Sequence, residues 1–324
     1  MDNEKKKYDV ICIGQIINDL LVTGIPGNAL TETKDTYIAD SFTSALGGDA
    51  ANESVVLAKL GNKVALLGKL GDDQTGHVLL NHMEENHVDP SLILIKNDCM
   101  NTRTVVVILK DSSHRYFVCK GRNFNLSKDD IDFSIFSDTR SIIAGSLFGL
   151  GELDLFGIGD VFSSAKQNGV LVFADMTYDM DGIGPRAFDH LYGMIDYLLP
   201  SYDEALYVTQ CDEPEKMAQF FLDRGTRNVV IKLGGKGCYF KNKDISFYTD
   251  PFIVEPVNMT GCGDNFVAGF AHSILKGDSV QEACRFACGV GALNSLGIGA
   301  NLFVKNEQHV LNFISITPQL QIER

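Results

Sequence analysis

No stretch of this 324-residue chain approaches the roughly 20 consecutive apolar positions that a membrane-spanning helix needs. The opening Met1-Asp2-Asn3-Glu4-Lys5-Lys6-Lys7 has neither an apolar signal core nor a small-residue cleavage site, and it leads straight into a strand-like segment. Paired Cys-x-x-Cys motifs are also missing. The eight cysteines, Cys12, Cys99, Cys119, Cys211, Cys238, Cys262, Cys284 and Cys288, are expected to be reduced thiols of a cytoplasmic protein. Cys284 and Cys288 lie four apart on one helix face, but no histidines complete a zinc set. Positive charge is scarce: 28 Lys and Arg face 42 Asp and Glu, for a net charge of −14. That balance opposes nonspecific binding to nucleic acid or to anionic membranes. There is no low-complexity tract, internal repeat or linker, and 45% apolar with 22% charged residues describes a folded globular chain. Gly-x-x-x-x-Gly-Lys-Ser/Thr, Gly-x-Gly-x-x-Gly after the first strand, Gly-x-Ser-x-Gly and His-Glu-x-x-His are all absent. P-loop hydrolases, standard Rossmann dehydrogenases, nucleophile-elbow esterases and zincins therefore lose weight.

What is present is an alternation. Tyr8–Ile13, Lys63–Leu67, Ser141–Ala144, Val170–Ala174, Tyr197–Leu199 and Asn228–Lys232 read as buried strands. Ala50–Leu60, Thr75–Glu85, Asp154–Asn168, Gly184–Ile195 and Pro214–Arg224 read as helices between them, and Asp264–Leu275, Ser279–Ser295 and Asn306–Ile314 as C-terminal helices. The pattern predicts an α/β fold: three layers, a doubly wound and mainly parallel sheet with helices on both faces. Thr36–Ser44 and Thr102–Val118 instead alternate apolar and polar residues, with Asp111-Ser112-Ser113 as a hairpin turn. They are expected to form a small antiparallel β lid, unless they are ordinary edge strands. The lid, within about residues 15–45 and 100–120, would be an excursion from one domain spanning 1–324.

Four loops have the composition of a ligand site. In Thr260-Gly261-Cys262-Gly263-Asp264, the glycines let backbone amides turn inward just before a helix, where the free amides and the helix dipole favour an anion. Asp264 in that first turn could orient a hydroxyl and accept its proton during phosphoryl transfer. An aspartate N-cap after a glycine turn has the same appearance. Indeed Gly157-Ile158-Gly159-Asp160 repeats the spacing in a region expected to carry no chemistry. The second loop, Gly47-Gly48-Asp49-Ala50-Ala51-Asn52, also opens a helix; its glycine pair permits close backbone approach, and Asn52 offers a polyol both donor and acceptor. Asn18-Asp19 follows the first strand, and Lys232-Leu233-Gly234-Gly235-Lys236-Gly237 leaves a strand into a positively charged glycine turn.

Taken in order, these loops resemble the ribokinase-like (PfkB-type) carbohydrate kinases from Val10 to about Gly299. Gly47–Asn52 with Leu60-Gly61 and Gly68-Lys69-Leu70-Gly71-Asp72-Asp73 matches the first family signature; Thr260–Asp264 with Phe266 and Gly269 matches the second. The resemblance implies an ATP- and Mg²⁺-dependent sugar kinase. It makes Asp264 the base, the amides of Gly261, Cys262 and Gly263 the anion hole, and Asp19, Gly48, Asp49 and Asn52 the sugar site. Lys232, Gly234, Gly237 and Thr260 fall to the nucleotide, and Glu204 of Pro200-Ser201-Tyr202-Asp203-Glu204 to Mg²⁺. The two alternating segments become the lid over the sugar.

Departures narrow the reading. Ser201 stands where the family usually has Asn, and Cys262 where it has Ala. Asp49 is an acid where ribokinases proper have Lys. Asn258 replaces an Asp that often begins a monovalent-cation loop, which leaves K⁺ activation open. Asp175-Met176-Thr177-Tyr178-Asp179 lacks the Asn and Arg of many sugar kinases. The expected reaction is transfer of the γ-phosphoryl of ATP to a primary hydroxyl of a monosaccharide or related polyol. Arg103, with His114 and Arg115, would reach a sugar acid if that were the acceptor. A nucleoside kinase with Phe117, Phe124 and Phe148 around a base is the rival on the same scaffold. A sugar-binding protein with impaired catalysis is the other alternative. Exposed lid edges would suit a homodimer.

Overall fold

The computed structural model describes residues 6–322, apart from 30, 33, 111, 112 and 123, so the expected Asp111-Ser112 turn lies outside the described residues. Strand β1 (Tyr8–Ile13) is central and flanked by two parallel partners, β4 (Val64–Gly71) and β9 (Thr139–Leu147). Its residues divide by parity. Val10 and Cys12 pack into one core, Ile11 and Ile13 into the other. A strand buried on both faces reads as one apolar run, which is why YDVICI was legible. The sheet continues parallel through β10 (Leu171–Met176), β11 (Tyr197–Leu198) and β12 (Asn228–Lys232), then ends in the antiparallel β13 (Cys238–Asn242) and β14 (Ser246–Thr249). On the far side, β5 (Val88–Asp89) and β6 (Ile93–Lys96) both pair β4, completing ten strands.

One face is covered by α1 (Asp49–Lys59), α2 (Gln74–Glu85), α7 (Cys262–Lys276), α8 (Val280–Asn294) and α9 (Glu307–Ile316). The other carries α3 (Glu152–Phe156), α4 (Ile158–Gln167), α5 (Tyr202–Thr209) and α6 (Pro214–Leu222). A separate four-stranded sheet has the order β3-β2-β7-β8, from β2 (Ile17–Ile25), β3 (Ser41–Gly47), β7 (Thr102–Leu109) and β8 (His114–Cys119). Its outer pairs are antiparallel and its central pair, β2 with β7, is parallel. Leu21, Ala45, Val106 and Ile108 form its own small core.

Two expected helices need correction. Asp154–Asn168 breaks at Gly157, whose φ of −144° with ψ of −29° is not helical, and becomes α3 and α4. Gly184–Ile195 forms only turns and a short 3-10 segment at Tyr192–Met194. The carboxylate of Asp179 accepts from the amides of Ile183 (3.0 Å) and Gly184 (2.9 Å), so these donors are satisfied without a helix. Phe188, Leu191 and Tyr192 are buried all the same. Helix α5 was missed, although Ser201 and Glu204 spell its capping box.

Candidate functional site

The loops singled out in the sequence meet at the carboxyl ends of the parallel strands, the expected place for a ligand in an open α/β sheet. Helix α7 begins at Gly261, whose φ of +72° only glycine adopts readily and whose added Cβ would sit 2.4 Å from the Ala300 carbonyl oxygen. Asp264 stands in the following turn. Asn52 Nδ2 donates to Asp264 Oδ2 at 2.7 Å, while Asn52 Oδ1 accepts from Asn301 Nδ2 at 2.7 Å. Burial raises the Asp264 carboxyl above its usual range, and Asn52 and the nearby Lys232 ammonium oppose that rise. Among the described residues, the amides of Gly261 and Gly263 make no backbone hydrogen bond. The Cys262 amide does: it donates to the Met259 carbonyl at 3.2 Å.

Lys232, at the end of β12, donates to both oxygens of Asp175 at 2.7 and 2.5 Å. Burial works against its charge, but Asp175, Glu204 and Asp264 hold it protonated. Its Nζ lies 3.5 Å from where a Cβ on Gly263 would stand, so this cation faces the glycine turn. Beside it opens a cleft of about 300 Å³ lined by Gly234, Gly237, Phe252, Cys262, Gly263 and Phe266, among others. The cleft is largely apolar in lining and ends at the amide turn, a shape suited to a planar group with a phosphate tail.

On the opposite side, Gly48 caps α1 and Asp49 opens it; the Asp49 carboxylate accepts from Ser146 Oγ at 2.5 Å. Burial, then Asp264, raises the Asp49 carboxyl well above its ordinary value. Asp19, on β2, sits where Gly47 leaves space: a Cβ on Gly47 would fall 2.1 Å from Asp19 Oδ2. Burial pushes Asp19 up to about 7, with Thr104 pulling down and Asp264 pushing up.

Three of the expected residues have protein partners of their own. Asn52 is buried and spends both ends of its amide on protein partners, Asp264 and Asn301. Arg103 pairs in register with Asn18, one residue out of phase with Asp19 and Thr104, and so takes the other face of the small sheet. There its Nη2 donates to Thr75 Oγ1 at 2.8 Å. Arg115 shares that face, which removes two of the cations expected to meet a sugar acid. Glu204 serves α5 first: its Oε2 accepts from the Ser201 amide at 2.6 Å. Ser201 caps α5, a role that Asn fills equally well.

Of the rival's aromatics, Phe148 is packed against Phe188 and Tyr207 in the core, and Phe117 is exposed on the face away from Asp19. Sequence reasoning missed Ser146, Asn301 and Glu53. Glu53 is fully buried, and neither carboxylate oxygen has a hydrogen-bond partner among the described residues. No local motif announces these residues; Asn301 lies 249 positions from Asn52. Among the described residues no group of three or more His, Cys, Asp or Glu is arranged to hold a metal, and no helix is long and apolar enough to cross a membrane.

Comparison with known proteins agrees with this geometry. A family model described as pfkB family carbohydrate kinase matches residues 7–306. The chain is 28% identical over 291 residues to a ribokinase of Haemophilus influenzae, covering 88% of this chain and 92% of that protein. Among solved structures, Arabidopsis thaliana ribokinase complexed with ribose and ATP superposes with a TM-score of 0.78 at 22% identity, covering 95% of this chain and 99% of that one. An Escherichia coli protein provisionally named ribokinase II, in complex with ATP and Mg²⁺, gives 0.82 at 21% identity over 95% and 99%. A family model spanning nearly all of the sheet and helices, together with a site assembled from both of its signatures, means that this chain belongs to the pfkB family of carbohydrate kinases.

Proposed function

We propose that this kinase transfers the γ-phosphoryl of ATP to a primary hydroxyl of a neutral monosaccharide or polyol, with Asp264 as the base. The observation that carries the reading is the environment of Asp264: a helix-turn carboxylate, tied to Asn52, beside the buried Lys232 and the mouth of the cleft. The acceptor would lie between Asp19, Asp49 and the small sheet, which serves as a lid on a single kinase domain. Its hydroxyls donate to Asp19 and Asp49. ATP would enter the cleft along Gly234 and Gly237, with its terminal phosphate at the amides of Gly261 and Gly263 and near Thr260. The Cys262 amide joins them only if it leaves the Met259 carbonyl.

Asn52 holds one oxygen of Asp264, so the other faces the acceptor hydroxyl and takes its proton as the oxygen attacks. Lys232 stays charged and offsets the negative charge that builds on the phosphoryl oxygens. Mg²⁺ bound with the nucleotide supplies further neutralisation of the phosphates. Glu204 fits a site of that kind because one of its oxygens lies outside the capping box, and Mg²⁺ commonly keeps its waters and takes one or two carboxylates besides phosphate. Asp49 and Asp19, with Arg103 and Arg115 on the opposite face of the lid, favour a neutral acceptor over a sugar acid.

Two smaller points belong to the same reading. Asn258 brings an amide where an anionic ligand would hold K⁺, so turnover is expected without it. The outer lid face, with Phe42 and Phe117 exposed, suits a second copy of the chain, to be checked by sedimentation at several concentrations. The main test is ADP release with Mg-ATP across neutral sugars, sugar acids and nucleosides, with and without K⁺. Turnover of a neutral sugar supports the proposal. Turnover confined to acids or nucleosides refutes its acceptor class, and tight sugar binding with no ADP formed refutes catalysis.

A further inference from the structure

We infer that Tyr116, on the outer lid strand β8, is a positioning residue that latches the lid to the phosphate-binding turn through the side chain of Thr260. The inference rests on the kinase reading above. Tyr116 pairs in register with Val106, which pairs with Leu21, so Tyr116 takes the lid face that carries Asp19 and Thr104. From there its hydroxyl stands 3.4 Å from Thr260 Oγ1, a contact between residues 144 positions apart.

The two ends of this contact differ in rigidity. Thr260 is pinned: its amide donates to Asn258 Oδ1 and its carbonyl accepts from Asn294 Nδ2, both at 3.1 Å. Asn258 and Asn294 are themselves buried, so the Thr260 hydroxyl is a fixed point beside Gly261. Tyr116 is the mobile end. It is 49% exposed and packs edge-on against His114 of its own strand, so the lid can lift it away without opening a core. Burial raises its phenol above the usual value, the Thr260 contact pulls the other way, and Asp19, Asp264 and Asp49 add to the rise; the phenol is a donor at neutral pH.

A separation of 3.4 Å is long for a hydroxyl pair, whose bonds cluster near 2.7–2.8 Å. Active-site hydrogen bonds often shorten when substrates arrive. Once phosphates order the turn, the latch would draw β8 down over the acceptor, and acceptor and nucleotide affinities would rise together, as linkage requires. The chemical benefit is exclusion of water. With the lid loose, water can take the place of the acceptor hydroxyl, and ATP plus water then yields ADP and inorganic phosphate.

The test uses the full-length enzyme and Tyr116→Phe, Thr260→Val and Thr260→Ser. Two readings are taken: phosphorylated acceptor formed per ADP released, and amide hydrogen exchange of β8 with and without Mg-ATP. Wild type is expected to form close to one product per ADP and to show β8 protection when Mg-ATP binds. Tyr116→Phe and Thr260→Val should each lose that protection and fall below one product per ADP. Each should lower kcat about five-fold, the size of one lost hydrogen bond, and Tyr116→Phe should weaken acceptor and ATP binding together. The double variant should be no worse than either single one. Thr260→Ser, which keeps the hydroxyl, should retain the protection of β8. Unchanged exchange and full coupling in Tyr116→Phe would overturn the latch. If wild type phosphorylates no acceptor, the kinase reading fails on that ground, and the exchange experiment still decides the latch.

Discussion

Two turns of this molecule share the spelling Gly-x-Gly-Asp at the start of a helix, and they lie on different sides of the sheet. At 157–160 the chain enters α4 from a non-helical Gly157 with negative φ, and Asp160 points to the surface, where its carboxylate pairs with Lys128 at 2.5 Å. Both side chains are half exposed. At 261–264 the chain enters α7 through a left-handed Gly261 packed on Ala300, and Asp264 is withdrawn from water between Asn52 and Lys232. Each acid enjoys the positive end of its helix dipole. Each also has a lysine nearby, but Lys128 is half exposed beside Asp160, whereas Lys232 arrives from β12 nearly out of water and Asn52 from α1 holds one oxygen of Asp264. The surroundings of a first-turn aspartate are set by what the fold brings to it, and the four-residue spelling does not fix them.

That contrast can be broken in graded steps. Asp264→Asn should lower kcat by about 10²–10⁴ while acceptor affinity, read by calorimetry, stays close to wild type. Gly261→Ala places a Cβ against the Ala300 backbone in a left-handed conformation. Turnover should fall with it, and stability should drop by about 1–3 kcal/mol in denaturant titration. Asn52→Leu leaves Asp264 and Asn301 without their partner, at about 1–3 kcal/mol. Because Asn52 favours the charged form of Asp264, its loss should move the acid limb of kcat/KM to higher pH.

Asp19 gives a smaller, pH-dependent effect. In the folded chain it keeps its proton to about pH 7, whereas an unfolded aspartate loses it near 4. The folded state therefore binds the extra proton between those values. Its contribution favours folding on the acid side and is lost as pH rises through that window. Asp19→Asn should accordingly flatten the decline in melting temperature between pH 5 and 8. The smallest effect belongs to the other turn: Asp160→Asn should change stability by no more than about 0.5 kcal/mol and leave kcat alone.

The parts of the fold visible in the sequence were those fixed by local rules. β1 and β12 were bounded correctly because buried parallel strands are continuous apolar runs, and α8 was framed by Ser279 and Glu282 as a capping box. The failures have a common origin. Gly184–Ile195 has helical spacing, yet the Asp179 carboxylate captures its first amides, and Gly182 and Gly184 take positive φ. In the site, the glycine turns, Asp264 and Asp19 carried their signals in short motifs. The roles of Asn52, Arg103 and Lys232 did not, since each depends on a distant partner: Asn301 for the first, Thr75 for the second, Asp175 for the third. Tyr116 had no signal at all, because its contact with Thr260 joins residues 144 positions apart.

The most direct measurement is phosphoryl transfer from Mg-ATP to the acceptor found for the wild type, in Asp264→Asn beside Asp160→Asn. The account predicts loss of transfer by at least about 10² in the first with acceptor binding retained, and wild-type turnover in the second. Near-normal kcat in Asp264→Asn, or an equal loss in both variants, would contradict it.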